Sequence, residues 1–324
     1  MLNEFHFDHD FLENERLIDI EVMNEILLKK WFNFGCLYFP YARIQDYLHA
    51  LELHDATLIQ EWKTAFASFK HCDVPEPYKK VSEHHDLNEI CTSTQNYGVS
   101  TTIVNKDDAI RFGIPNIAYQ NNGINEVVCN ESIQNSHFFN ESERYALQDI
   151  PSGEAINTVW NTRFQNIAKH TSVITIIDRY LFANLEDDIN VRQTSIKKFA
   201  DFLRPLNKQF SLNIYSVGDD KNSSRHLCIE RYLRDNKTEG DRLGDVFSYV
   251  ELSSCTDEKF RDASHDRFVR FDNFVLSLGL GFGIFRSYPV GPCSFSVKNF
   301  IYTNFDSTIS SMSPNRLWVV RGQY

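Results

Sequence analysis

Residues 264–273 read Ser-His-Asp-Arg-Phe-Val-Arg-Phe-Asp-Asn and hold the side chains best suited to act on a phosphate. In an extended strand His265, Arg267, Val269 and Phe271 share one side, while Asp266, Phe268, Arg270 and Asp272 share the other. A histidine and an arginine two apart on one face converge on a single anion. The imidazole serves as nucleophile or acid, and the guanidinium clamps the non-bridging oxygens. Downstream, Gly279-Leu280-Gly281-Phe282-Gly283 is short of side chains, so backbone N–H groups can approach a phosphate at Gly279 and Gly281. Upstream, Asp178-Arg179-Tyr180 follows a β-branched run at the strand end where α/β domains place functional groups, and Arg179 offers a second cation. The other reading of that triplet is an Asp–Arg pair that fixes the strand end.

These side chains need a layered scaffold, and the second half of the chain predicts one. Strand patterns at 173–177, 210–217 and 246–252 alternate with helical patterns at 195–203 and 225–233, the order of a layered α/β domain. Short strands follow at 268–271, 274–278, 294–297 and 317–320. The first half reads differently. Apolar residues three and four apart predict helices over 12–34 and 44–69, with Gly35 as a stop, and a third short helix over 81–91. Residues 101–104 read as a strand, and 120–123 and 130–140 as loops. Trp31, Trp62 and Trp160 fall on helical apolar stripes and are expected in the core or as domain-interface anchors. Pro151, Ser152 and Gly153 mark a boundary at 150–154, giving a mostly helical domain over 1–150 and an α/β domain over 151–324.

The 324 residues include 26 Phe, 14 Tyr and 4 Trp, more buriable surface than a disordered chain carries. The apolar runs fall well short of the roughly 18–20 residues that span a bilayer, so no transmembrane segment is expected. The first ten residues lack the basic and apolar regions of a signal peptide, which predicts a cytoplasmic protein. Seven cysteines without a C-x-x-C pair predict neither a disulfide framework nor a zinc knuckle. His6, His9 and Asp10, and likewise His84-His85-Asp86, have the chemistry of metal ligands but no accompanying third-ligand pattern. They are read as solvated polar residues, and no metal or other cofactor is expected. The net charge of −11 is unevenly spread: residues 1–155 hold 11 Lys+Arg against 25 Asp+Glu, a balance of −14, whereas residues 156–324 balance at +3. The basic half is the better candidate for phosphate-rich ligands, and the acidic half for a partner protein.

The spacing His265-x-Arg267-x4-Asp272-x6-Gly279 resembles the phospholipase D superfamily signature, H-x-K-x4-D-x6-G-S, with Arg267 replacing lysine and Leu280 replacing serine. It is most similar to the phospholipase D-like domain at the C-terminus of MIT-domain proteins. The likeness lies in His265-Asp266-Arg267 followed by Arg270-Phe271, and in a strand ending Asp178-Arg179-Tyr180. It covers roughly residues 156–300. The resemblance implies a phospholipase D-like layered α/β fold, with His265 as nucleophile or acid, Arg267 as phosphate clamp and Asp272 as the supporting acid; Arg179, Arg270, Gly279 and Gly281 would contribute to phosphate binding. With one motif per chain, catalysis would require a homodimer that brings two His265 side chains together. The implied activity is a metal-independent nuclease, or broader phosphodiesterase, of a prokaryotic defence or mobile-element system. The alternative it implies is a catalytically inert module that binds nucleic acid, anionic lipid or a partner protein.

Overall fold

The aromatic stripes of the first half pack against a sheet. In the computed structural model, which describes residues 1–13, 21–52, 54, 56–74, 77–114, 116–236, 243–263, 267–286 and 288–324, the chain divides into two units, Met1–Arg144 and Tyr145–Tyr324. The division falls a few residues ahead of the expected 150–154 boundary.

Unit one contains six strands: β1 (Asn3–His6), β2 (Gly35–Phe39), β3 (His71–Asp73), β4 (Thr101–Val104), β5 (Ala118–Asn121) and β6 (Asn125–Cys129). Their order is β3-β2-β1-β4-β6-β5; all neighbours run parallel except β5, which is antiparallel to β6. This corrects the expectation of a mostly helical N-terminal half: both units are mixed α/β. β4 lies at the expected 101–104, whereas β1, β2 and β6 escape notice because they are short and buried along their whole length, so they lack period-two alternation. Polar residues on them are satisfied across the sheet. Asn3 donates to Thr101 Oγ1 at 3.0 Å, and the Thr101 hydroxyl donates to Glu126 at 2.8 Å. The predicted helix over 44–69 is two, Ile44–Leu51 and Ala56–Ser68, and Glu21–Phe34 fills the later part of the one predicted over 12–34; residues 14–20 of that stretch lie outside the described residues. Trp31 and Trp62 are fully buried, in a core with Phe5, Phe7, Leu37 and Tyr47.

Unit two contains β7 (Val173–Ile177), β8 (Phe210–Val217), β9 (Phe247–Cys255), β10 (Phe268–Phe271), β11 (Phe274–Leu278), β12 (Phe295–Asn299) and β13 (Arg316–Gln323). The order is β12-β11-β10-β7-β8-β9-β13, with β7, β8 and β9 parallel and the rest antiparallel to their neighbours. The helix Ser195–Leu203 starts where Thr194 Oγ1 accepts the Lys197 amide at 3.2 Å, and it buries Ile196, Phe199, Ala200 and Leu203. Each large apolar side chain so buried contributes about 1.5–3 kcal/mol. Trp160 is buried and stacks on Phe202, with ring centroids 5.0 Å apart. Among the described residues, no helix is long and apolar enough to cross a membrane.

Candidate active site

The carboxyl end of β7 positions the site. Asp178, the next residue, is buried; its Oδ1 accepts the Tyr180 amide at 2.9 Å and its Oδ2 accepts the Phe282 amide at 2.6 Å. Burial pushes the Asp178 carboxyl above its ordinary value, against the pull of those two amides and of the Arg267 guanidinium. β10 runs antiparallel to β7 with Phe268 opposite Ile177, so Arg267, one residue before β10, arrives at the same end of the sheet as Asp178. There Arg267 Nη1 donates to the Gly279 carbonyl at 2.7 Å. Gly281 has φ +60°, and a methyl group on it would collide with both the Asp178 carboxylate and the Arg267 side chain. That position therefore needs glycine on two counts.

Above this base lies a cationic edge. The Tyr180 ring is 47% exposed and is flanked by two guanidiniums, that of Arg267 at 5.0 Å and that of Arg179 at 5.5 Å from its centroid. Arg179 also pairs with Asp257 at 2.5 Å, so the strand-end pair read from Asp178-Arg179 forms instead with a residue just past the carboxyl end of β9. Two guanidiniums around an accessible aromatic ring can hold a phosphate and stack on a neighbouring planar group.

The other motif residues are placed elsewhere. His265 lies outside the described residues, two positions before Arg267. Asp272 sits at the opposite end of β10, in the turn to β11, with φ +44°; its carboxylate accepts the amides of Ser172 and Val173 at 3.2 Å and 3.0 Å. It anchors the start of β7 and does not reach the end of the strand that carries Arg267. Arg270 also belongs to that far end: Nε donates to the Asp272 carbonyl at 2.5 Å, Nη1 pairs with Asp306, and the guanidinium lies 4.6 Å from the Phe300 ring centroid. The Gly279 amide is spent on the Ser294 carbonyl at 2.9 Å. The glycine turn thus holds a carboxylate, that of Asp178, through the Phe282 amide. Of the expected catalytic and phosphate-binding residues, the structure gathers Arg267, Arg179 and the Gly279–Gly281 turn, and separates Arg270 and the expected supporting acid Asp272 from them. Tyr180 and the carboxylate of Asp178 were not foreseen as parts of one site; their signal was the Asp-Arg-Tyr triplet directly after a β-branched strand.

The histidines of unit one also depart from expectation. His6 and His84 are buried rather than solvated, at 3% and 2% exposure. Asp86 caps the helix Leu87–Asn96 by accepting the Glu89 amide at 2.8 Å.

No family model matches the chain, and no curated protein matches it. Among solved structures, the archaeal chromatin protein TrmBL2, whose report describes a novel mode of DNA binding, is similar at 15% identity with a TM-score of 0.26. The alignment covers 52% of this chain and 52% of that one, a likeness that assigns neither fold nor activity.

Proposed function

We propose that unit two is a phospholipase D-like domain that binds the phosphodiester backbone of nucleic acid along the Arg179–Tyr180–Arg267 edge. With His265 as nucleophile it would cleave that backbone without a metal, in a homodimer that pairs two copies of the motif. The observation that carries this reading is the Arg267 guanidinium, tied to the Gly279 carbonyl and laid over the exposed Tyr180 ring beside Arg179. The Arg267-Tyr180 pairing suits a ligand with both an anion and a planar base, which favours a nucleic acid over a lipid headgroup.

A binding-only role has its own support. Asp272, the motif's acid, lies at the wrong end of β10 to assist a histidine beside Arg267.

The two readings part at His265. In fluorescence anisotropy with labelled single-stranded DNA or RNA, Arg267→Ala should weaken binding by about tenfold to a hundredfold, the worth of one or two charge-assisted hydrogen bonds. A nuclease should cleave in the presence of EDTA, and His265→Ala should abolish cleavage while keeping affinity. Binding without any cleavage by the wild-type chain establishes the module. Unchanged affinity in Arg267→Ala removes both readings.

A further inference from the structure

The sheet of unit one reverses its order at β1: the chain lays β2 and β3 on one side of it, then returns to place β4 and β6 on the other. In open parallel sheets, ligands bind in the crevice outside the carboxyl ends of the two strands that flank such a reversal. Here those ends are followed by Asp8, His9 and Asp10 after β1, and by Asp107 and Asp108 after β4. His9 Nε2 lies 2.8 Å from Asp10 Oδ1 and 3.8 Å from Glu13 Oε1, and the Lys80 ammonium bonds both His9 and Asp10 at 3.2 Å. Lys80 is thus the counter-charge of the outer part of this cluster.

The inner part is left without one. Asp8 is 94% buried, and while its Oδ2 accepts the Val81 amide at 2.5 Å, its Oδ1 has no hydrogen-bond donor among the described residues. Oδ1 faces His6 Nε2 at 3.3 Å. That ring places Nδ1 2.8 Å from the Tyr38 carbonyl, which can only accept, so Nδ1 carries the proton. In the neutral imidazole Nε2 is left to accept from the Tyr78 hydroxyl at 2.9 Å and offers Asp8 Oδ1 no proton. An uncompensated buried carboxylate oxygen costs several kcal/mol, and a bound cation removes the cost.

We propose that the carboxyl end of β1 and β4 in unit one is a divalent-cation site, anchored on Asp8 Oδ1 and completed through metal-bound water by the Asp10 and Asp108 carboxylates. Oxygen ligands, and the readiness of Mg²⁺ and Mn²⁺ to keep several waters, fit carboxylates contributed by two strand ends. Histidine beside them makes Mn²⁺ the better probe. The inference is independent of the reading of unit two.

The test uses the full chain, stripped with EDTA and titrated with MnCl₂ by calorimetry. Wild type should bind Mn²⁺, Arg267→Ala should bind it equally well, and Asp8→Asn and Asp108→Asn should each raise the dissociation constant at least tenfold, with circular dichroism confirming the fold. If Asp8→Asn does not fold, the half-buried Asp108 carries the comparison. Absence of binding up to about 5 mM Mn²⁺, well above the weaker protein sites for hard divalent cations, overturns the proposal. So does wild-type affinity in the variants that fold.

Discussion

Asp178 holds the arginine edge together, and it does so as a carboxyl that folding makes harder to ionise. Its ordinary value is 3.8, and burial raises it in the folded chain. Between those two values the native state keeps a proton that the unfolded chain has released, so stability is greatest below the ordinary value and is lost as pH rises through the folded one. Urea midpoints measured from about pH 4 upward should therefore fall more steeply for wild type than for Asp178→Ala; equal slopes would show that Asp178 does not titrate in this way. The same scale shows the limit of reading motifs by alternation. Period-two spacing separates His265 and Arg267 from Asp272 by face, but five residues of strand span about 17 Å, so the motif's two ends cannot share one pocket within a chain. The sequence holds the strand; only the pairing of β10 with β7 reveals that Asp178 is the carboxylate beside Arg267.

At the scale of elements, Gly35 joins helix to strand with no residue between them: Glu21–Phe34 ends and β2 begins. A Cβ there would lie 2.8 Å from the Trp31 Cα and 2.8 Å from the Phe5 ring. Gly35→Ala should cost about 1–3 kcal/mol through overpacking against backbone that cannot yield. Gly283→Ala, which meets open space, should stay within about 0.5 kcal/mol in the same denaturant series. Reading Gly35 as a helix stop was sound; what followed it was invisible. The strands of unit two were legible, 173–177, 210–217, 268–271 and 274–278 with their observed bounds, because β-branched and aromatic runs are set off by turn residues. β1 and β3 were not. Glu4 and His6 give β1 a polar face that is buried, with Asn3 buried on the other, and β3 has three residues, too few for any period to show. The buried carboxylate after β1 was lost along with the strand that presents it.

The whole chain joins two sheets, each closed around its own core, and a domain of that kind folds alone. A fragment of residues 145–324 should unfold cooperatively in urea and keep its affinity for single-stranded nucleic acid. Removing unit one also removes the negative field, since residues 1–144 hold 11 Lys+Arg against 23 Asp+Glu, a balance of −12 in a chain of −11. The fragment should associate faster than the full chain at low ionic strength, and the difference should vanish as salt shortens the Debye length. Stopped-flow association at several salt concentrations checks this, and identical rates at low salt would contradict it. A ligand that reaches the edge by either route meets an arginine whose conformational freedom is already gone. A free arginine side chain carries about 2 kcal/mol of rotamer entropy. The Gly279 carbonyl and the Tyr180 ring hold Arg267 in place before anything binds, so that ordering belongs to folding, and association with a phosphate is spared an entropic penalty that a solvent-waving arginine would incur.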